Sequence, residues 1–260
     1  MAPAAKKSTA KPATKPATKR AGSNSLAKEA VAKKAGARAA SRRSTQKTEG
    51  VKPTLVILVR HGRTPTTGKV LPGRAPGLHL GPEGIAQATK AAERIAALGE
   101  NKIAAVYASP MERTRETAAP IAKAVGKRVR IKKGLIEADF GQWTGRKLTE
   151  LNKLPEWSQV QRYPSGFRFP GGESFSEMQT RMTGAIRELV AEHPGETIVA
   201  TSHADTIKAA VADAMGTHLD LFQRIVVGPC SITAILYTSG GPVVLAVNSM
   251  GDDLSALVPS

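Results

Sequence analysis

The sequence predicts an α/β protein, a three-layer α/β/α sandwich with a mostly parallel sheet, a small helical cap insertion and a disordered basic N-terminal tail. Apolar, β-branched runs alternate with segments of helical periodicity, and this order is typical of a sheet covered by helices. The runs are continuously apolar, as in strands that are buried on both faces of a parallel sheet. Residues 1–50 have almost no large apolar side chains, so we place the domain at residues 51–260.

The first half of this domain predicts three strands and two helices. Residues 54–59 form the first apolar run, and residues 103–108 and 129–136 predict the next two strands. Residues 82–98 carry apolar side chains at helical spacing, and residues 113–125 predict a second helix. Each predicted strand therefore alternates with a helix or a loop, as parallel pairing requires.

The second half contains an insertion and then a return to the sheet. Residues 145–178 are punctuated by Pro and Gly and predict the cap insertion. Ser174, with Glu177 three residues later, predicts the capped start of a helix over residues 174–192. The remaining predicted elements are a strand at residues 197–201, a helix at 205–215, and a hairpin of strands 231–237 and 242–248 across residues 239–241.

The first fifth of the chain has its own composition. Residues 1–50 hold 13 Lys and Arg against two acidic residues, and Leu26 and Val31 are their only large aliphatic side chains. Such a segment cannot bury enough apolar area to offset the entropy of ordering. We interpret it as a disordered tail that either contacts DNA or RNA phosphates or is a solvated extension. An organellar transit peptide is a third interpretation.

Composition excludes several classes of protein and site. One cysteine, Cys230, forms neither an internal disulfide nor a cysteine-based metal site, which favours a reducing, cytoplasmic setting over a cysteine-poor secreted protein. No apolar run approaches the ~20 residues that span a bilayer, and no secretory leader opens the sequence, so we expect no membrane association. We expect neither a metal nor a cofactor.

The strongest chemical signal is the run RHGRT at residues 60–64, directly after the first buried strand. In α/β sheets, ligands collect beyond the carboxyl ends of the strands. His61 there is a candidate nucleophile toward phosphorus, Arg60 offers a planar fork to phosphate oxygens, and Gly62 lets the main chain approach an anion. The alternative is a structural histidine that is hydrogen-bonded at the end of a strand.

Three later segments repeat this arrangement. Arg113 follows the second strand, Glu137 follows the third, and His203 follows the strand at residues 197–201. Two guanidinium groups, two imidazoles and one carboxyl group suit phosphoryl transfer, which needs a nucleophile, charge clamps and a proton donor. Asp139 is the rival of Glu137 because it lies two residues away on the same side of an extended chain.

Together these motifs resemble the histidine phosphatase superfamily, the phosphoglycerate mutase-like group. The resemblance rests on Arg-His-Gly-x-Thr, on Ser109-Pro110-x-x-Arg113 and on Ser202-His203, and it extends from about residue 54 to the C-terminus. It implies a mostly parallel sheet between helices with an inserted helical cap, and a reaction without metal.

The resemblance also implies a role for each site residue. His61 would become a phosphohistidine, and Glu137 would be the proton donor that later activates water. Arg60, Arg113 and a protonated His203 would form the phosphate pocket. Two positions depart from the family pattern: Thr67 stands where many members carry Asn, and Ala204 stands where Gly is usual. Thr67 and Gly62 are possible additional contacts.

Other charged residues have weaker signals. We interpret Glu173 mainly as a helix-start device, with a substrate or second acid role as the alternative. Contacts to the distal part of a substrate are possible for Arg63, Arg74 and Arg146. Arg115 is predicted to be a charge on a helix face. The histidines expected on the surface or in loops are His79, His193 and His218.

These observations predict a phosphohydrolase that acts on small phosphate monoesters. A phosphoglycerate mutase-like phosphomutase with the same site is the first alternative, although the short insertion favours a phosphatase. A nucleic-acid-binding protein that acts through its basic tail is the alternative from another class. The sequence predicts neither the physiological substrate nor the oligomeric state.

Overall fold

The computed structural model describes residues 52–251, so the tail predicted for residues 1–50 lies outside the described residues. Its centre is one six-stranded sheet. The strands are β1 (Thr54–Arg60), β2 (Ile103–Ala108), β3 (Val129–Ile131), β4 (Thr197–Ser202), β5 (Ile232–Thr238) and β6 (Gly241–Ser249). Their spatial order is β3-β2-β4-β1-β5-β6.

The pairing directions make the sheet mostly parallel, as predicted. β1 pairs in parallel with β4, which pairs in parallel with β2, and β2 pairs in parallel with β3. β5 runs antiparallel to both β1 and β6. The carboxyl ends of β1, β2 and β4 therefore meet at one edge, where Arg60 pairs with Ser202 and Ala108 pairs with Thr201.

Helices cover both faces of this sheet and confirm the three-layer prediction. On one face, α1 (Pro82–Ala96) and α2 (Glu112–Ala124) pack Ile95 and Ile121 against Val59 and Val106. Two short helices, α3 (Leu148–Leu151) and α4 (Trp157–Arg162), lie in the insertion. The other face is covered by α5 (Phe175–Glu192) and α6 (Ala204–Ala214).

The insertion packs on an aromatic cluster of its own. Rings of Phe140, Trp143, Phe167, Phe169 and Phe175 lie within 6.3 Å of a neighbouring ring, in edge-to-face or tilted arrangements. Such contacts add to the burial of the rings and favour one arrangement of the loops that carry them. The insertion was predicted to extend to residue 178, but residues 175–178 form the first turn of α5.

One boundary shows a neighbouring strand overriding a local pattern, and a second follows its local pattern. The third strand was predicted to reach residue 136, but β3 ends at Ile131 because its neighbour β2 ends at Ala108, the partner of Ile131. A 3₁₀ turn at Lys133–Leu135 follows. The capping box of Ser174 and Glu177 is confirmed, and it starts α5 at Phe175.

Residues 52–251 include no helix with both the length and the apolar character needed to cross a membrane.

Candidate active site

The edge where β1 and β4 end brings the two predicted histidines together. His61 directly follows β1, and His203 directly follows β4. Their ring centroids lie 5.3 Å apart at an interplanar angle of 63°. Both rings are buried, with residue exposures of 5% for His61 and 0% for His203. Parallel pairing of two strands that are far apart in sequence creates this proximity.

The hydrogen bonding of His61 defines its tautomer. Its Nδ1 lies 2.8 Å from the carbonyl oxygen of Gly62, and a carbonyl oxygen only accepts, so Nδ1 carries the proton. Nε2 is then the atom with the free lone pair. Burial, followed by the charges of Arg113 and Arg60, lowers the pKa of His61 to about 3. The imidazole is therefore neutral at physiological pH, as a nucleophile must be.

His203 is held at both ring nitrogens. Arg113 Nη2 donates to Nδ1 at 3.2 Å, so Nε2 carries the proton and donates to the Ser109 hydroxyl at 2.8 Å. Burial and the charge of Arg113 lower the pKa of His203 well below its ordinary value. A protonated His203 was expected from the sequence, and the structure differs because burial and the charges of Arg113 and Arg60 disfavour a further positive charge on this ring.

The two arginines offer donors that no described protein group accepts. Arg113 is fully buried, and its Nη2 donates to the Gly73 carbonyl at 2.8 Å, while its Nε and Nη1 have no partner among the described residues. Arg60 Nη1 donates to Val227 at 2.7 Å, and its Nε is likewise unpartnered within the described chain. Buried donors without acceptors are rare, and guanidinium donors in this state favour binding of an oxyanion.

Glu137 is the buried carboxyl group of the site. Its residue exposure is 7%, Oε2 lies 3.7 Å from His203 Nδ1, and Oε1 accepts from the main-chain N–H of Ala138 at 3.0 Å. Burial, reinforced by the charge of Asp205, raises the pKa of Glu137 to about 7 against the opposing effect of Arg113. This carboxyl group can therefore carry a proton near neutral pH.

The rival carboxyl group, Asp139, lies in a different setting. Its side chain is 43% exposed, and it accepts from the main-chain N–H of Gly141 at 3.0 Å and from Arg74 at 3.5 Å. These contacts stabilise the turn that follows the Glu137 segment. The structure brings Glu137, and not Asp139, into contact distance of His203.

Gly62 and Thr67 have local structural partners. A Cβ on Gly62 would lie 2.5 Å from the carbonyl oxygen of Gly84 in α1, and the Gly62 N–H donates to Thr117 at 3.0 Å. Glycine is thus required by close packing on α1, and its main-chain N–H is bonded to Thr117. Thr67 Oγ1 accepts from the Thr64 N–H at 2.9 Å within a turn.

The remaining charged residues of the sequence analysis lie outside this cluster. Arg63 is exposed and pairs with Glu83, and Arg115 is exposed on α2 as predicted. His79 and His218 are exposed, and His193 lies in the loop after α5 with its ring buried, so all three are on the surface or in a loop as expected. The His193 ring bonds the Tyr107 hydroxyl at 2.8 Å and Glu196 at 2.6 Å. Arg146 is half-buried at the start of the insertion.

Two residues have roles that the sequence analysis missed. Ser109 was quoted only as part of a motif, yet its hydroxyl orients His203; its place at the end of β2 was the available signal. Glu173 was interpreted as a helix-start device, which is wrong, because its carboxylate accepts from Arg74 and Arg181. No local pattern distinguishes this pairing from ordinary surface charge.

Comparison with known proteins agrees with this geometry. The family model of the histidine phosphatase superfamily (branch 1) matches residues 56–250. Phosphoserine phosphatase 1 of Hydrogenobacter thermophilus is 30% identical over 196 residues, which cover 74% of this chain and 91% of that protein. A crystal structure of a phosphoserine phosphatase from Entamoeba histolytica, in complex with phosphoserine, aligns with a TM-score of 0.68 at 28% identity, covering 76% of this chain and 98% of that one.

Some relatives are longer proteins. A bifunctional protein of Mycobacterium tuberculosis is 31% identical over 203 residues, which cover 76% of this chain but only 55% of that protein. The chain thus spans about half the length of such relatives. The match to the family model nevertheless includes every strand of the sheet except the first two residues of β1. The chain belongs to the histidine phosphatase superfamily.

Proposed function

We propose that this protein is a phosphohydrolase that acts on small phosphate monoesters through a phosphohistidine on His61, with Glu137 as the proton donor. One observation carries the proposal: buried, unpartnered guanidinium N–H groups of Arg60 and Arg113 accompany the neutral imidazole of His61. Both guanidinium charges act on His61 and help to lower its pKa. A phosphate dianion satisfies these donors and presents phosphorus to the nucleophile.

In the first step, Arg60 and Arg113 hold the phosphoryl oxygens, and the charge of the bound phosphate favours a protonated His203, which then donates to it as well. Nε2 of His61 attacks phosphorus, the bond between phosphorus and the ester oxygen breaks, and the Glu137 carboxyl group transfers its proton to the departing oxygen. The proton on Nδ1 of His61 stays on that nitrogen throughout, hydrogen-bonded to the Gly62 carbonyl oxygen. The products of this step are an alcohol, a phosphohistidine and an ionised Glu137.

In the second step, the ionised Glu137 acts as the base. It accepts a proton from a water molecule whose oxygen attacks phosphorus, and the bond between phosphorus and Nε2 breaks. Phosphate leaves, and His61 and Glu137 regain their initial protonation states. One carboxyl group serves both steps because its pKa, raised to about 7, makes both forms accessible near neutral pH.

The substrate class follows from the relatives. Two of them carry the name phosphoserine phosphatase, and we propose small phosphate esters of this size for the present chain. We assign catalysis to a domain at residues 51–260 and the choice of substrate in part to the insertion near residues 145–178. A reducing, cytoplasmic location remains our proposal on the basis of the single cysteine.

Phosphatase and phosphomutase activities differ in what accepts the phosphoryl group from His61. With 3-phosphoglycerate as substrate, we expect phosphate release to exceed isomerisation to 2-phosphoglycerate, because the insertion holds only two short helices, α3 and α4. Phosphate release and isomer formation are measured in the same reaction, with a His61→Ala sample as the background. Isomerisation that is faster than phosphate release would instead establish the phosphomutase.

The basic tail favours a second, independent function, contact with nucleic acid. Residues 1–50 hold 13 basic residues against two acidic ones. We expect full-length protein to bind duplex DNA in a gel-shift assay with an affinity that falls steeply between 50 and 200 mM salt, at roughly 0.9 logarithmic units per phosphate contact for each tenfold change in salt. A chain of residues 51–260 should lose this binding. Equal binding by both chains would remove the tail from any such role.

A further inference from the structure

A partly buried ion-pair cluster lies next to the segment that carries Glu137. Its centre is the carboxylate of Glu173, whose side chain is 13% exposed. Arg181 donates to this carboxylate through Nε at 2.8 Å and through Nη2 at 2.9 Å, and Arg74 donates through Nη2 at 3.0 Å. We call these three residues the Glu173 cluster. Three N–H donors from two guanidinium groups thus hold this one carboxylate in a fixed orientation.

The cluster also holds the main chain around Glu137. Arg74 Nε donates to the Glu137 carbonyl at 2.8 Å, and Arg181 Nη2 approaches the same oxygen at 3.4 Å. This part of the chain lies between a 3₁₀ turn and the next loop, so neither a helix nor a strand fixes it. Further contacts of the cluster reach the carbonyls of Gly134 and Ile136, at 2.7 and 2.8 Å, and the N–H of Asp139 at 3.3 Å.

The loop that carries Arg74 also contacts Arg113, one of the two arginines proposed to bind the phosphate. The carbonyl of Gly73 accepts from Arg113 Nη2 at 2.8 Å, and the next residue is Arg74. Gly73 has φ of +54°, and a Cβ there would lie 2.8 Å from the Thr144 hydroxyl, so the turn requires glycine. Two adjacent residues thus contact the phosphate-binding guanidinium and the main chain of the acid.

We propose that Glu173 is a positioning residue for the proton transfer by Glu137. By holding Arg74 and Arg181 against the Glu137 carbonyl, it sets where the Glu137 carboxyl group stands relative to an anion bound at Arg113. The inference rests on the proposed function, in which Glu137 protonates the leaving oxygen. Partly buried ion pairs contribute little net stability, because screening and desolvation offset their attraction, so fixed geometry is the effect that distinguishes this cluster.

The leaving group provides a readout that a merely structural role would not change. Proton donation matters most when the departing oxygen is strongly basic, as in an alkyl phosphate, and least for a nitrophenolate, which leaves without a proton. A displaced acid therefore slows alkyl esters selectively. A general loss of folded protein or of phosphate binding slows both classes equally.

The test compares full-length wild type with Glu173→Gln on phosphoserine and on p-nitrophenyl phosphate. We expect kcat/KM for phosphoserine to fall about 10²-fold, the typical cost of misplacing a reacting group by about 1 Å, and the aryl ester to change only slightly. Glu177→Gln is the matched control. It makes the same chemical change at an exposed ion pair with Arg168, retains the capping box, and should leave both rates unchanged.

A double variant separates this inference from the proposed function. Glu137→Gln alone must show the alkyl-selective loss; if it does not, the acid role of Glu137 fails, and the proposed function fails with it. If it does, adding Glu173→Gln should cost nothing further, because Glu173 acts only through Glu137. Equal losses on both substrates, or additive losses in the double variant, would overturn the positioning role.

A second variant covers the case in which Glu173→Gln does not fold. Arg74→Lys keeps a positive charge toward Glu173 but lacks the Nε donor to the Glu137 carbonyl, and its side chain is 31% exposed, so the substitution is tolerated. We expect the same alkyl-selective loss. An unchanged ratio of alkyl to aryl activity in a folded Arg74→Lys protein would overturn the inference.

Discussion

We expect His61→Ala to lower phosphate release from every monoester by about 10⁴-fold or more, because the proposed covalent step needs the imidazole nitrogen that this substitution removes. Nε2 of His61 has the free lone pair, and Arg60 and Arg113 surround it with charge that an incoming phosphate satisfies. The measurement is steady-state phosphate release on aryl and alkyl esters. Wild type mixed rapidly with radiolabelled substrate should also retain label on the protein, and the variant should not.

His218→Ala is the control for this substitution. His218 is 67% exposed and pairs with Asp220 outside the site, so its loss should leave turnover unchanged. Thermal unfolding of both variants verifies that they are folded. Activity that survives His61→Ala in a folded protein would move the nucleophile to another residue.

The second large effect concerns Glu137. We expect Glu137→Gln to lower kcat/KM for alkyl phosphates by roughly 10²–10³-fold near pH 6, within the usual range for a general acid. Gln has nearly the same shape as Glu and retains an acceptor for the Ala138 N–H, but it holds no transferable proton. The aryl ester should lose far less, since its leaving group departs without protonation.

The pH dependence of kcat/KM tests whether Glu137 acts as an acid in the first step. Burial raises the pKa of Glu137 to about 7, so the protonated acid disappears as pH rises through about 7 and wild-type kcat/KM on an alkyl ester falls there. The pKa of His61 is lowered to about 3, so this nucleophile stays neutral over the whole range. The second ionisation of the substrate, near pH 6, is common to both proteins and cancels in their ratio. A Gln variant that retains the alkaline fall would contradict the assignment.

The same variant has an expected effect on stability. The raised pKa means that the folded protein binds the Glu137 proton more tightly than the unfolded chain does. This contribution to folding is fully present below the ordinary glutamate pKa of 4.5 and is lost as pH rises through about 7. At pH 8 wild type therefore buries a charge that Glu137→Gln lacks, and the variant should unfold at the higher temperature. Such a trade of stability for activity is common at catalytic sites.

The main site residues were predictable because of one property of parallel sheets. Apolar β-branched runs mark buried strands, and the carboxyl ends of parallel strands meet at one edge. Residues that directly follow such runs, as His61 follows β1 and His203 follows β4, were therefore expected to come together, and their rings lie 5.3 Å apart. The apolar composition of the strands was sufficient for this prediction, and the order of the strands in the sheet was not needed.

Elements whose limits depend on a neighbour were predicted less well. The third strand appeared to continue to residue 136, but its length follows that of β2, which no local pattern reports. His193 does lie in a loop, as one of the two expected positions, but no local pattern indicated that Tyr107, which is 86 residues away, bonds its buried ring. In both cases a contact between distant segments decided the outcome.

From the sequence by itself follow the layer architecture, the order of the elements, and the placement of two histidines, two arginines and one glutamate near the strand ends. The tertiary structure alone decided the protonation states of His61, His203 and Glu137 and the partners of each charge. Glu173, for example, meets an arginine 99 residues away, and through it the carbonyl of Glu137. The reason is physical: hydrophobic periodicity is a local property of the chain, whereas a pKa or an ion pair depends on distances and burial between residues that only folding brings together.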